Sequence, residues 1–249
     1  MDWKTILHKL QKGEMRSAYR NKVGDWEVNI TAKKAILKAF SESENIELDG
    51  NFSGFVEKEN LKTRKFSLAD KVRMAPGGSS VRIGSYVAES VIIMPPSYIN
   101  VGAFIDTGTM IDSHVLVGSC AQVGRNVHLS AGVQIGGVLE PIGMSPVIVE
   151  DNCFIGAGAV IVEGIIVGKG AVVAPGVVLS KSINIYDCVN HVVLNKGANI
   201  PEGAVIVPGT RPIKESWAHS KELNAYCPII IKYRDDKSNK SLTLEEALR

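Results

Sequence analysis

The chain has little aromatic character, 6% of 249 residues, and only four cysteines: Cys120, Cys153, Cys188 and Cys227. Their wide spacing matches neither a zinc-ligand pattern nor a dithiol redox motif, so they read as reduced core or surface thiols. No uninterrupted apolar run approaches the roughly 18 residues a membrane-spanning helix needs. The opening residues, Met1-Asp2-Trp3-Lys4, start an amphipathic stretch rather than a basic segment followed by an apolar one. That start reads as no signal peptide, and the expected location is cytoplasmic. An excess of one charge is also missing: 28 basic residues face 26 acidic ones, scattered along the chain. Without a basic stripe there is no expected nucleic-acid or membrane partner, and a charged partner should be small. No Walker or Rossmann phosphate loop occurs, because the glycines follow a different rule.

That rule is a period of six. Aliphatic residues recur at every sixth position from Val81 through Val87, Ile93, Ile99, Ile105, Ile111, Val117, Val123 and Leu129 to Ile135. A second run goes from Val149 through Ile155, Ile161, Val167 and Val173 to Leu179, and Ile200 and Ile206 form a short third piece. Four places after each aliphatic of the first run stands a small or apolar residue, from Ser85, Val91 and Ser97 to Val127 and Val133. A helix would space its apolar residues three and four apart and a plain strand would alternate, so neither explains the pattern. Short strands joined by sharp corners do, and Gly or Asp beside the aliphatic, as in Val117-Gly118 and Ile105-Asp106, suits such corners. Three strands make one triangular coil whose inward aliphatics stack on the next coil. These aliphatics are scaffold, not chemistry.

The expected fold is therefore mainly β, a parallel β-helix of hexapeptide repeats over residues 73–210. Residues 136–147 and 186–199 break the period as inserted loops, the second read as a hairpin. Residues 1–72 are expected to form an α-helical cap: Trp3, Ile6, Leu7 and Leu10 share a helical face, and a second helix is predicted from about Ile30 to Phe40. Residues 211–249 read as an extension, with a strand at Tyr226–Tyr233 and a capping-box pattern at Thr243-Leu-Glu-Glu246 opening a last helix.

The stretches Met94-Pro-Pro-Ser-Tyr-Ile-Asn-Val-Gly102, Gly108-Thr-Met-Ile-Asp112 and Val117-Gly-Ser-Cys-Ala-Gln-Val-Gly124 resemble the tetrahydrodipicolinate N-succinyltransferase family. Asn126-Val-His-Leu-Ser130, Ile135-Gly-Gly-Val-Leu-Glu-Pro141 and Glu150-Asp-Asn-Cys-Phe-Ile-Gly-Ala157 continue the likeness over most of the chain. The resemblance implies a left-handed coil, a homotrimer with active sites in grooves between subunits, and transfer of a succinyl group from succinyl-CoA to L-2-amino-6-oxopimelate. That amino-dicarboxylate is the opened form of tetrahydrodipicolinate, in lysine and diaminopimelate biosynthesis.

Acyl transfer to an amine needs a neutral nitrogen held at the thioester carbon, a proton acceptor, and donors for the oxyanion. By resemblance, Arg73 holds a substrate carboxylate, a task suited to its planar fork. Asp112 engages the substrate amine, and Gly137 contacts substrate through a bare backbone. On residue pattern alone, Arg73 would be a solvated arginine, Asp112 a corner aspartate and Gly137 a loop turn. Two departures stand out. The family's catalytic glutamate is Val160 here, with Glu163 three places on at the second glutamate, and a usual tryptophan is His114. His128 and His114 are then candidate replacement bases, histidine being able to take a proton at cellular pH, although a lone histidine on a coil is more often structural.

CoA is expected along a groove near the later coils, with Lys169, Lys181 and the backbone amides near Ala174 and Gly176 as contacts, where the plainer reading is solvated lysines. The pattern from Gly156 to Ala174 also resembles tetrahydrodipicolinate N-acetyltransferases, which keeps acetyl-CoA as an alternative donor, on the same or a related amino-dicarboxylate, with a specialised, tabtoxin-like pathway as one setting. A second alternative is a non-catalytic scaffold or a metal hydratase resembling the γ-carbonic anhydrases. His114 and His128 are 14 residues apart rather than the 18 of a coil, so the repeat does not stack them, and no metal site is expected.

Overall fold

The computed structural model describes residues 2–50 and 54–234; the helix expected at Thr243–Glu246 lies outside them. Residues 73–206 wind into a left-handed β-helix of two-residue strands on three faces. Face one carries Arg73–Met74, Ile92–Ile93, Met110–Ile111, His128–Leu129, Phe154–Ile155 and Val172–Val173. Face two carries Ser80–Val81, Tyr98–Ile99, Leu116–Val117, Gln134–Ile135, Val160–Ile161 and Val178–Leu179. Face three carries Tyr86–Val87, Phe104–Ile105, Gln122–Val123, Ile148–Val149 and Ile166–Val167.

Every pairing between coils is parallel and, outside the insertions, joins residues 18 apart, as Ile105 with Val123 and Ile111 with Leu129. The second residue of each strand points inward. Ile93, Ile99, Ile105, Ile111, Leu129, Ile135, Ile155 and Ile161 are all fully buried in one continuous core. Inward hydroxyls survive because each is bonded to a backbone: Ser97 Oγ donates to the Asp112 carbonyl at 2.7 Å and Thr109 Oγ1 to that of Gly124 at 2.7 Å.

At the corners the chain turns through left-handed backbone. The corner from face one to face two uses Gly132, Gly158 and Gly176 for this, but His114 at the equivalent place, with φ 62°. A residue with a Cβ costs about 1–2 kcal/mol in that conformation.

The loop 136–147 adds eight residues to one coil, since Gln122 pairs with Ile148. After Leu179 the chain leaves the coil, forms an antiparallel hairpin of Ile185–Asp187 with Val192–Leu194, and returns where Ile200 bridges Val167. Asp187 pins this hairpin, accepting hydrogen bonds from Tyr233 Oη at 2.7 Å and from the backbone N–H groups of Val189 and Asn190. The strand Ala204–Pro212 pairs with Val172–Val173 on one side and antiparallel with Asn224–Tyr233 on the other. It therefore runs through the boundary expected at residue 210, because one strand both ends the coil and begins the extension. A short helix, Ser216–Ser220, lies in the connection.

The cap holds α1 (Trp3–Gln11) and α2 (Ile30–Ser41), N-capped by Asp2 and Asn29. It also contains two small antiparallel ribbons, Ala18–Arg20 with Trp26–Val28 and Asn45–Glu47 with Val56–Lys58, so it is not purely helical. The cap lies on face three, whose outward residues include Tyr86, Phe104 and Ile148. Leu7 abuts Gly84 and Ile36 abuts Gly102, both at the corner from face two to face three. Lys33 is fully buried there, and its Nζ donates to the Met144 carbonyl, tying the extruded loop to the cap. Burial also pushes the Cys120 thiol up to about 12, which suits an inert core residue.

Ile111→Ala should destabilise the chain by about 2–5 kcal/mol in urea unfolding, because the side chain is enclosed between coils that cannot collapse onto the gap. Burial lowers the Lys33 pKa from 10.5, which penalises the charged form in the folded state. The penalty is complete below the depressed value and gone above the ordinary one, so stability should rise as pH climbs through that window. Lys33→Met should flatten this rise in urea midpoints measured against pH.

Candidate functional site

Face two and its two edges hold most of the candidate residues. Asp112 follows the inward Ile111 and sits, half-buried, at the corner where the chain enters face two. Its Oδ1 accepts the backbone N–H of Ser113 at 2.7 Å. Ala174 and Gly176 occupy the same corner three coils later, about 14 Å along the axis at the usual strand spacing. Their N–H groups donate to Ile206 and Ala157 within the coil ladder. What this part of the edge offers a ligand is therefore carbonyl oxygens and contact surface rather than amide donors.

The exit corner of face two carries Gly137, Glu163 and Lys181. Gly137 is pressed against the corner of the preceding coil: a Cβ there would lie 2.4 Å from the Ser119 nitrogen. Only glycine allows so close an approach, and the extruded loop is thereby fixed at its root, with Val138 donating to the Ser119 carbonyl at 3.1 Å. Among the described residues, no acceptor takes the Gly137 N–H. Glu163 holds left-handed backbone, φ 58°, and its carboxylate accepts the Lys181 N–H at 2.9 Å. It belongs to this edge, whereas Asp112 belongs to the other.

Between these edges the outward column of face two reads Ser80, Tyr98, Leu116, Gln134, Val160 and Val178. A shallow cavity of about 450 Å³ lies over it, lined in part by Pro96, Ser97, Tyr98, His114 and Gln134. Gln134 Nε2 donates to the His114 carbonyl at 3.3 Å. Val160 pairs in register with Gln134, so the position where a glutamate was expected lies in this column, one coil beyond the amide. Tyr98 and Gln134 were not singled out from the sequence. The 18-residue coil, applied to outward rather than inward positions, places Tyr98 and Gln134 in one column, and adding the eight extra residues of the loop brings Val160 into it.

The remaining candidates lie elsewhere. His128 is outward on face one, its ring 5.1 Å from that of Phe154, and by strand spacing its Cα is about 8 Å from that of Asp112. Arg73 is exposed on the first strand of face one, in the same column as Met110 and His128. Lys169 stands on the opposite edge, between faces three and one, with its backbone N–H bonded to Glu150 at 3.1 Å. Among the described residues no group of three or more His, Cys, Asp or Glu side chains could hold a metal ion, and no helix is long and apolar enough to cross a membrane.

A hexapeptide repeat of succinyl-transferases matches residues 146–181. Over 98% of its length the chain is 44% identical to the 2,3,4,5-tetrahydropyridine-2,6-dicarboxylate N-succinyltransferase of Paraburkholderia phymatum, spanning 86% of that protein. The chain belongs to the tetrahydrodipicolinate N-succinyltransferase family. The enzyme of the same name from Neisseria meningitidis serogroup A is 42% identical over 98% of the chain and 87% of its own length. The fold agrees as well. A Campylobacter jejuni protein described as a 2,3,4,5-tetrahydropyridine-2-carboxylate N-succinyltransferase superposes over 97% of this chain and 63% of its own, with a TM-score of 0.55 and 17% identity. The family is one of acyltransferases, and most of the candidate residues of this member border one β-helix face.

Gly137→Ala should loosen the root of the loop. Limited proteolysis should then cut within residues 138–146 at least about tenfold faster, with the thermal midpoint changed by only a few degrees.

Proposed function

We propose that this chain transfers the succinyl group of succinyl-CoA to the amine of L-2-amino-6-oxopimelate, in a cleft that a neighbouring copy completes in a homotrimer. The observation that carries this reading is the likeness to N-succinyltransferases along nearly the whole chain, with Asp112 at the edge of face two. In one ternary complex, Asp112 accepts a proton from the substrate ammonium and orients the freed lone pair toward the thioester carbon. The new C–N bond forms as the carbonyl oxygen gains charge, and the Gly137 N–H is a donor for substrate at this stage. Collapse breaks the C–S bond; CoA leaves as thiolate and takes the proton held by Asp112, the second amine proton passes to a neighbouring base, and no acyl-enzyme is needed. Arg73 meets a substrate carboxylate through its exposed guanidinium. The spread of these groups over one face, two edges and the neighbouring face supports a site shared between subunits.

Val160 supports a second reading. With no carboxylate at that rung, the acyl pocket over face two is more apolar, which suits the shorter acetyl group of acetyl-CoA. His128 and His114 are the candidate bases in either case. CoA lies along the later coils, with Lys181 and the Ala174–Gly176 edge nearest to face two and Lys169 on the far edge.

Turnover of the two acyl-CoA donors with the same acceptor separates these readings, and a preference for acetyl-CoA of more than about tenfold in kcat/KM would displace succinyl transfer. Asp112→Asn should lower kcat by about two to three orders of magnitude while the thermal midpoint and CoA binding hold, since the change opens no cavity. Near-normal turnover in that variant would remove Asp112 from the mechanism.

A further inference from the structure

The seam between the cap and face three encloses a cavity of about 200 Å³, away from face two. That space suits a molecule of a few heavy atoms, since a 150 Å³ cavity already holds benzene. Three acidic groups, Asp106, Glu150 and Asp151, and three basic ones, Arg16, Arg20 and Lys169, line it. Several are already satisfied. Glu150 accepts from the Trp26 indole at 2.8 Å, from the Lys169 backbone at 3.1 Å and from Arg20. Arg20 is further engaged by the Gly24 carbonyl.

Two groups are not. The Arg16 guanidinium sits over the Phe104 ring, its central carbon 3.4 Å from the ring centroid, and its contact with Asp106 is 3.7 Å, beyond hydrogen-bond length. Among the described residues it donates no side-chain hydrogen bond, so its planar fork is held in place with its donors unspent. Beside it, Gln122 is 2% exposed. Its Nε2 donates to Ser17 Oγ at 2.8 Å and to the Ala18 carbonyl at 3.3 Å, which orients the amide and leaves buried Oε1 with no donor. A buried acceptor without a partner costs about 1–3 kcal/mol, and a bound donor recovers it.

An unspent cationic fork next to an unspent acceptor, inside a ring of balanced charge, selects its ligand. A plain anion meets the acidic side chains and a plain cation the basic ones. A zwitterion satisfies both. We propose that this cavity binds a small α-amino carboxylate, with its carboxylate on Arg16 and its ammonium on Gln122 Oε1 near Asp106. Such a ligand bridges the Ala18–Arg20 ribbon to the coil and so fastens the cap onto face three.

Titration calorimetry on the full chain with L-alanine, propionate and ethylamine tests this. Saturable binding of L-alanine is expected, at least about tenfold tighter than either single-charge probe, with a rise in thermal midpoint. Arg16→Gln and Gln122→Leu should each weaken it by about tenfold or more, whereas Asp112→Asn should leave it unchanged. Propionate binding as tightly as L-alanine, or affinity lost in Asp112→Asn but kept in Arg16→Gln, would overturn the assignment. Should either cap-side variant misfold, a crystal of the unaltered protein grown with L-alanine decides. Density joining Arg16 to Gln122 supports the site, and ordered water alone there rejects it.

Discussion

Everything in this molecule depends on the inward aliphatic of one coil finding its counterpart 18 residues later. A two-residue strand cannot bury its side chain or satisfy its backbone alone, but a stack of them does both at once. Backbone N–H and carbonyl groups are consumed by the neighbouring coils, and the side chains fill a continuous column that excludes water. The scaffold is therefore rigid along its axis, and chemistry is confined to outward positions, corners and insertions.

Each face then acquires a different fate from its outward residues. Face three presents Tyr86, Phe104 and Ile148 and is covered by the cap, which brings Leu7 and Ile36 against corner glycines whose missing Cβ makes room. Face one is prolonged by the strands of the extension. Face two remains open, bordered by Asp112 and His114 on one edge and Gly137 and Lys181 on the other. Lys33 links these provinces: a buried cation in the cap holds the carbonyl of Met144, so the loop that starts at Gly137 is fixed at its root by backbone contact and near its end by the cap. The candidate site on face two thus draws on packing from the cap side of the coil.

The departures from the family pattern fall in the same region. Val160 stands in the outward column of face two beside Gln134, and His114 adopts left-handed backbone at a corner where other coils use glycine. A strained residue beside a candidate catalytic aspartate is the kind of local conflict that functional sites retain. The change of pocket wall and the change at position 160 alter one surface, which is why donor choice and proton acceptor are coupled questions here.

The period of six, read from the residues alone, determined the coil, the inward set and the places where insertions interrupt it, because inward positions answer to a local rule repeated many times. The resemblance carried by the residues around Asp112 supplied the family, and the handedness with it. What the tertiary structure decided was which side of the coil each outward residue occupies and what covers it. Arg73, Asp112, Gly137 and Lys169 look equivalent along the chain, yet they lie on a face and three different corners. The Gln122 amide buried beneath Ser17 and the Lys33 tether to Met144 involve partners 105 and 111 positions apart in sequence, which no local pattern encodes because only winding and docking bring them together.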